Sequence, residues 1–210
     1  MTTFPNPSLR DPAASAPIGP GLTNPIHDAQ RAFRIIMDAM ARPGRVVSLA
    51  DIGPDQGPLP PAEAAIVLTL SDMDTPVWMS AATDAAAAYL TFHCGSPIVA
   101  DPATACFALV TDARDLLPFD QFDLGDEAYP DRSATILVRL PALTGGQALI
   151  ATGPGIETAA SLAPQGLPDG FLSAWADNTA DYPCGIDLIL AAGDAIIALP
   201  RTCRLAPAAS

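Results

Sequence analysis

Proline makes up 23 of the 210 residues, roughly twice its usual ~5% share. Each proline fixes φ and withholds a backbone donor, so the chain is punctuated by stiff loops. Half of the residues are nevertheless apolar, which separates the sequence from a disordered acidic tail and supplies a core. At this length the material suffices for one domain rather than two. Charge then narrows the function classes. Twenty-three acidic residues against ten basic ones leave a net charge of −13, and all ten bases are arginine. Without a lysine side chain, covalent lysine chemistry is impossible. A surface this acidic repels phosphate backbones, so nucleic acid is set aside as a partner. The first ten residues lack the basic-then-apolar plan of a secretory signal. The apolar stretch near the C-terminus is cut by Asp187 and Asp194 before it reaches membrane-spanning length. No membrane association and a cytoplasmic location are expected. Cys94, Cys106, Cys184 and Cys203 show no close pairing and read as buried thiols rather than disulfides.

Residues 1–23 hold prolines at positions 5, 7, 12, 17 and 20 among small and polar residues, the composition of a flexible proline-rich arm. A single α/β domain is expected over residues 24–205, with a C-terminal tail over 206–210. Asn24 as N-cap, Pro25 at the first helical position and the stripe Ile26, Ala29, Phe33, Ile36 and Met40 predict an amphipathic helix stopped by Pro43-Gly44. Its other side carries His27, Arg31, Arg34 and Asp38. Residues 45–49 read as a strand. Pro61 and Glu63 resemble a helix start for residues 64–70, although Ile66, Val67 and Thr69 suit a buried strand as well. Residues 76–79 read as a strand, 81–92 as an alanine-rich helix closed by Gly95 and Pro97, and 106–110 as a buried strand. The acidic stretch 112–131 is loop-like, a surface excursion or a partner-facing element. Residues 134–140 and 147–152 read as apolar strands separated by a turn with Thr144-Gly145-Gly146, and 168–179 as a helix. Residues 186–191 and 195–199 form a hairpin around Gly193-Asp194. Helices interleaved with strands, plus hairpins, predict one layered α/β domain with a mixed sheet.

Residues 66–76, IVLTLSDMDTP, end an apolar segment in two carboxylates two apart. An aspartate-nucleophile phosphatase presents its nucleophile, here Asp72, and its acid/base, here Asp74, in this way. Such an enzyme also recruits a lysine to hold the phosphoryl group, and none exists. The competing reading makes both residues turn carboxylates bonded to nearby amides. No metal site is expected, because His27 and His93 are the two histidines and the cysteines never reach C-x2-C spacing. His93 and Cys94 are adjacent and point apart, so they make no nucleophile–base dyad. His93 suits the orphan carbonyls of a last helical turn, and His27 a solvated first turn. Gly153-Pro154-Gly155 offers amides to an anion, yet Thr158 stands where the dinucleotide fingerprint wants glycine or alanine. The candidate anion-binding residues are Arg42, Arg45 and Arg201, each beside a glycine or proline. Their guanidinium groups can clamp phosphoryl or phosphonyl oxygens; the competing reading is surface ion pairs. Catalytic residues remain unassigned.

Several blocks stand in a fixed order: His27 to Arg34 (HDAQRAFR), Met40 to Gly44 (MARPG), Leu68 to Trp78 (LTLSDMDTPVW), Leu143 to Gly146 (LTGG), and Gly185 to Leu190 (GIDLIL) followed by Leu199 to Thr202 (LPRT). Together they resemble the H-subunit family of the bacterial carbon-phosphorus lyase system, over nearly all of residues 25–203. The arm before Asn24 and the stretch 112–131 fall outside the blocks. The resemblance implies a part in phosphonate catabolism. With partner subunits G, I and J, such a subunit supports formation of α-D-ribose 1-methylphosphonate 5-triphosphate from ATP and methylphosphonate, with release of adenine. The I subunit is held to carry the displacement at the ribose. The J subunit later cleaves the carbon-phosphorus bond by radical chemistry with an iron-sulfur cluster and S-adenosylmethionine. The resemblance also implies a homodimer seated peripherally against J, and a fold similar to pyridoxal-phosphate-dependent transferases without the cofactor. No catalytic residue is established for the family, and none carries over. The residues agree at one point, since a chain without lysine forms no Schiff base and one without a close-spaced cysteine triplet holds no radical cluster. The expectation is an accessory subunit with no cofactor of its own; the alternative is a free-standing phosphatase with Asp72 as nucleophile.

Overall fold

The structure, a computed structural model, describes residues 18–208. Most of the expected arm, residues 1–17, and the last two residues lie outside the described residues. At the start of α1 (Pro25–Ala41) the Asn24 side chain accepts from the His27 N–H, and the Asp28 carboxylate accepts from the Asn24 N–H at 2.7 Å. Both partners of this turn satisfy orphan donors. The buried face of α1 differs from the expected stripe. Asp28, Ala32, Ile36 and Ala39 point inward, whereas Ile26 and Phe33 are 81% and 47% exposed. Apolar spacing marks an amphipathic helix but does not say how closely it is approached. The small Ala32 and Ala39 let α1 sit down on its neighbours beside Ile36, and Ile26, Phe33 and Met37 are left outside.

Of the two readings for residues 61–70 the helix holds, as α2 (Pro61–Leu70), with Ala62 through Val67 all buried. A helix covered all round has no amphipathic period to read. β1 (Val47–Ser48) and β2 (Val77–Met79) lie where expected. α3 (Asp84–Cys94) starts three residues later than the sequence suggests, because Thr83 caps it by accepting from the Ala86 N–H at 3.1 Å. It ends on Gly95, in the left-handed region at φ 71°. β3 (Phe107–Val110), β4 (Thr135–Arg139) and β5 (Leu149–Thr152) follow, then an unanticipated β6 (Ala160–Leu162). α4 (Phe171–Ala180), β7 (Asp187–Ala192) and β8 (Ala195–Leu199) complete the expected elements. A last strand, β9 (Arg204–Pro207), crosses the expected start of the tail, so residues 206 and 207 belong to a sheet.

The main sheet has the order β1-β8-β7-β4-β3-β2, in which neighbours β2, β3, β4 and β7 pair parallel, while β8 pairs antiparallel with both β7 and β1. β7 and β8 form the expected hairpin, closing at Ala192 opposite Ala195. β4 and β5, which the sequence sets around one turn, belong to different sheets, because β5 pairs with β6 and β9 in a small antiparallel sheet. Successive residues of β4 face opposite layers. Leu137 joins α1, α2 and α3 on one side, while Ile136 and Val138 join α4 and the small sheet on the other. A strand covered on both faces reads as a continuous apolar run, as β3, β4 and β7 do.

The stretch 112–131 corrects the expectation of a surface excursion. It is built of short 3-10 turns and drives Ala113, Leu116, Phe119 and Phe122 into the second layer. The Phe119 ring meets Phe171 and Trp175 edge-on, with centroids 6.3 and 6.2 Å apart. Its acidic residues face solvent or cap turns, as Asp112 does for the Arg114 N–H.

Candidate functional site

The structure separates the three expected anion-binding arginines. Arg42 follows α1 and pairs with Asp38 one turn back. Arg45 has no ion-pair partner among the described residues and lines a cavity of about 550 Å³ with Gly155, Glu157 and Thr158. Arg201 is 13% exposed and spends its donors on the protein. Its Nη2 reaches Asp187 Oδ2 at 2.6 Å and Ser133 Oγ, and its Nη1 reaches the carbonyls of Pro130 and Pro183 at 2.9 and 3.1 Å. The Gly153-Pro154-Gly155 loop is likewise packed against protein. A Cβ on Gly155, at φ 81°, would stand 2.0 Å from the Ala41 carbonyl oxygen, and one on Gly153 2.8 Å from that of Thr202. The loop joins the end of α1 to the segment after β8.

Asp72 is a turn residue. Its Oδ1 accepts from the Asp74 N–H at 3.0 Å and the Thr75 hydroxyl at 2.7 Å, which together hold its carboxyl below the usual range. It follows a helix and precedes β2, away from the C-terminal strand ends, so the phosphatase alternative loses its geometry. His93 does not serve the carbonyls of its own helix. Its Nε2 donates to the Gly19 carbonyl at 2.9 Å, beside the Tyr89 hydroxyl that donates to the Pro20 carbonyl at 2.8 Å. The two side chains fasten residues 19 and 20 across α3. Of the four cysteines, Cys203 is buried and Cys106 exposed, with Cys94 and Cys184 between, which corrects the expectation that all are buried. Burial pushes the Cys94 and Cys203 thiols up to about 11.

A polar constellation instead occupies the C-terminal ends of the parallel strands, the edge where open α/β sheets bind ligands. At the end of β4, Arg139 donates through Nε and Nη2 to both oxygens of Glu63, each at 2.7 Å. The Glu63 side chain is 3% exposed and that of Arg139 35%. Glu63 comes from α2, 76 residues away in sequence. The paired carboxylate raises the Arg139 guanidinium further above its ordinary value. Just past β3, Arg114 makes the same forked contact with Asp112, Nε to Oδ1 and Nη2 to Oδ2. Next to it the Thr111 and Ser80 hydroxyls lie 3.2 Å apart at the ends of β3 and β2. Thr111, Arg114, Arg139, Pro141 and Gly166 line one crevice of about 530 Å³. A second cavity of about 490 Å³ adjoins it at Gly166.

Comparison with known proteins bears on this arrangement. The model of the family described as bacterial phosphonate metabolism protein (PhnH) matches residues 20–206. The chain belongs to the PhnH family. It is 45% identical, over 87% of its own length and 92% of the relative's, to the alpha-D-ribose 1-methylphosphonate 5-triphosphate synthase subunit PhnH of Rhizobium meliloti (strain 1021). It is 30% identical, over 84% of its length and 85% of the relative's, to HtxG of Stutzerimonas stutzeri, whose name gives it as a C-P lyase subunit protein. In this PhnH family member the sequence blocks fall at joints: the Met40 to Gly44 block ends α1 against the Gly155 loop, and the Leu199 to Thr202 block ends β8 against Asp187. The crevice arginines lie outside those blocks. Arg139 had a visible signal, an arginine closing the apolar run TILVR, but its partner Glu63 read only as a helix start. Arg114 sat unremarked in the acidic stretch.

Proposed function

We propose that this PhnH family member is an accessory subunit of a carbon-phosphorus lyase core complex. It works with the G, I and J subunits in forming α-D-ribose 1-methylphosphonate 5-triphosphate from ATP and methylphosphonate, in the cytoplasm, as a homodimer, with no turnover of its own. The observation that carries this reading is the 45% identity over nearly the whole of both chains to a protein named as a subunit of that synthase. The chemistry of the chain supports the accessory role. It has no lysine for a covalent intermediate, Asp72 is bound into a turn, and the donors of Arg201 are directed at the protein. Exposed Ile26, Phe33 and Met37 along α1 support work in contact with another surface. A parallel strand group bordered by an antiparallel hairpin supports likeness to the pyridoxal-phosphate-dependent transferases, a fold that here would carry no Schiff base.

The test is reconstitution. Partners G, I and J, with and without this chain, are incubated with ATP and methylphosphonate, and adenine release and phosphorus NMR of the product are followed. Product should form only when this chain is present, and it should co-purify with the partners. Full product formation in its absence overturns the reading, as does hydrolysis of a phosphate ester by the isolated chain that Asp72→Asn abolishes.

A further inference from the structure

We infer that the crevice between the ends of β3 and β4 is a binding site for a tetrahedral oxyanion, a phosphoryl or phosphonyl group held by Arg139 and Arg114. Both guanidinium groups are fixed in the same way, with Nε and Nη2 turned onto a carboxylate, Glu63 for one and Asp112 for the other. Among the described residues neither Nη1 has a protein partner, and both residues line the same cavity. Arg139 is the anchor, because its orientation is set by a carboxylate buried in the core. A guanidinium carries five donors, so a forked ion pair leaves one edge for a ligand. Two such edges from separate strand ends suit a group with three oxygens better than a planar carboxylate, which one fork already satisfies. Because each arginine is neutralised by its carboxylate, the ligand is held by directed donors and not by net positive charge. The volume of about 530 Å³ exceeds the need of a bare phosphate, and the adjoining cavity at Gly166 leaves room for a larger substituent. The site differs from Arg42, Arg45 and Arg201.

The choice of methylphosphonate as a probe rests on the proposed function; the site itself does not. Calorimetric titration of the isolated full chain at low salt uses inorganic phosphate, methylphosphonate and acetate in separate arms. Phosphate or methylphosphonate should bind saturably, and acetate should not. A phosphonate preference would identify the substituent as part of recognition, and equal binding the oxyanion alone. Arg114 is exposed, so Arg114→Ala leaves the fold intact and should weaken binding about tenfold, the loss of a charged hydrogen bond. Arg139→Lys keeps a charge beside Glu63 without the fork and should weaken it as much, with folding checked by circular dichroism. Arg45→Ala, in the other arginine-lined cavity, should change nothing. Absence of saturable binding, binding of acetate as tight as phosphate, or weakening by Arg45→Ala and not by Arg114→Ala overturns the inference. Failure of the reconstitution alone leaves it standing.

Discussion

Arg139→Met removes the partner of a carboxylate that has almost no access to water. Glu63 lies in a helix whose first six residues after Pro61 are buried, and both its oxygens accept from Arg139. Breaking a buried ion pair from one side typically costs ~3–5 kcal/mol, because the remaining charge is left uncompensated. Arg139 keeps 35% of its side chain in solvent, and water entering its place relieves part of the penalty, so the lower end, ~3 kcal/mol, is expected. Against a total stability of ~5–15 kcal/mol this is a large fraction. With a urea dependence of ~2 kcal/mol per molar, the unfolding midpoint should drop by roughly 1.5 M. Buried Trp175 provides the fluorescence signal. The paired replacement Glu63→Leu with Arg139→Met removes both charges and should return to within ~1 kcal/mol of the parent, since apolar substitutes for a buried pair are often neutral or stabilising. A single variant within ~0.5 kcal/mol of the parent, the scatter of ordinary surface changes, would refute the argument. So would a double variant no better than the single one.

Phe119→Ala tests whether the acidic stretch is part of the core. Packed against Phe171 and Trp175, Phe119 should cost ~3–4 kcal/mol on truncation, as a buried phenylalanine does; urea unfolding would read under ~0.5 kcal/mol if the segment were a surface excursion. Alkaline stability should also fall. Burial raises the Cys94 and Cys203 thiols from 9.0 to about 11 and the Tyr89 hydroxyl from 10.0 to about 12. The folded state thus favours the neutral forms, a contribution complete below about pH 9 and lost as the pH rises through 9 toward 11 and 12. Thermal melts should shift downward over that interval, less steeply in Cys203→Ala; identical slopes would contradict the assignment.

The parts of the fold legible in sequence are those in which the local pattern and the tertiary environment agree. β7 and β8 are apolar runs separated by a tight turn, and they pair with each other. Asp72 could be read as a turn carboxylate because its partners, Asp74 and Thr75, are two and three residues away. α1 was legible as a helix but not in its orientation, since Ala32 and Ala39 are chosen for close approach and the periodic pattern favours Phe33. β6 and β9 have three and four residues, and β9 is largely exposed, so neither is long enough for an alternation to be read. Leu116, Phe119 and Phe122 are spaced by three among acids and prolines, without the length that makes a period visible. The crevice was illegible for another reason. Its central contact joins residues 76 apart, and no spacing rule pairs them.

The arginines explain why a chain without lysine can be both rigid and equipped for recognition. Two long-range forks pin the neighbouring strands β4 and β7 at opposite ends. At the end where β7 begins, Arg201 grips Asp187 and also collects the Pro130 and Pro183 carbonyls and the Ser133 hydroxyl. At the other end, where β4 finishes, Arg139 grips Glu63 from α2. A lysine ammonium is a compact point charge and cannot span two carboxylate oxygens while donating sideways to carbonyls. The two clamps differ in what they leave over. Nε, Nη1 and Nη2 of Arg201 all have protein acceptors, so this end is closed by the fold itself. Arg139 has its Nη1 without a protein acceptor among the described residues, beside a cavity, on the edge where parallel strands present their loops. Structural duty and binding capacity are therefore divided between the two ends of the same strands, and the unused donor marks the end at which a ligand would be met.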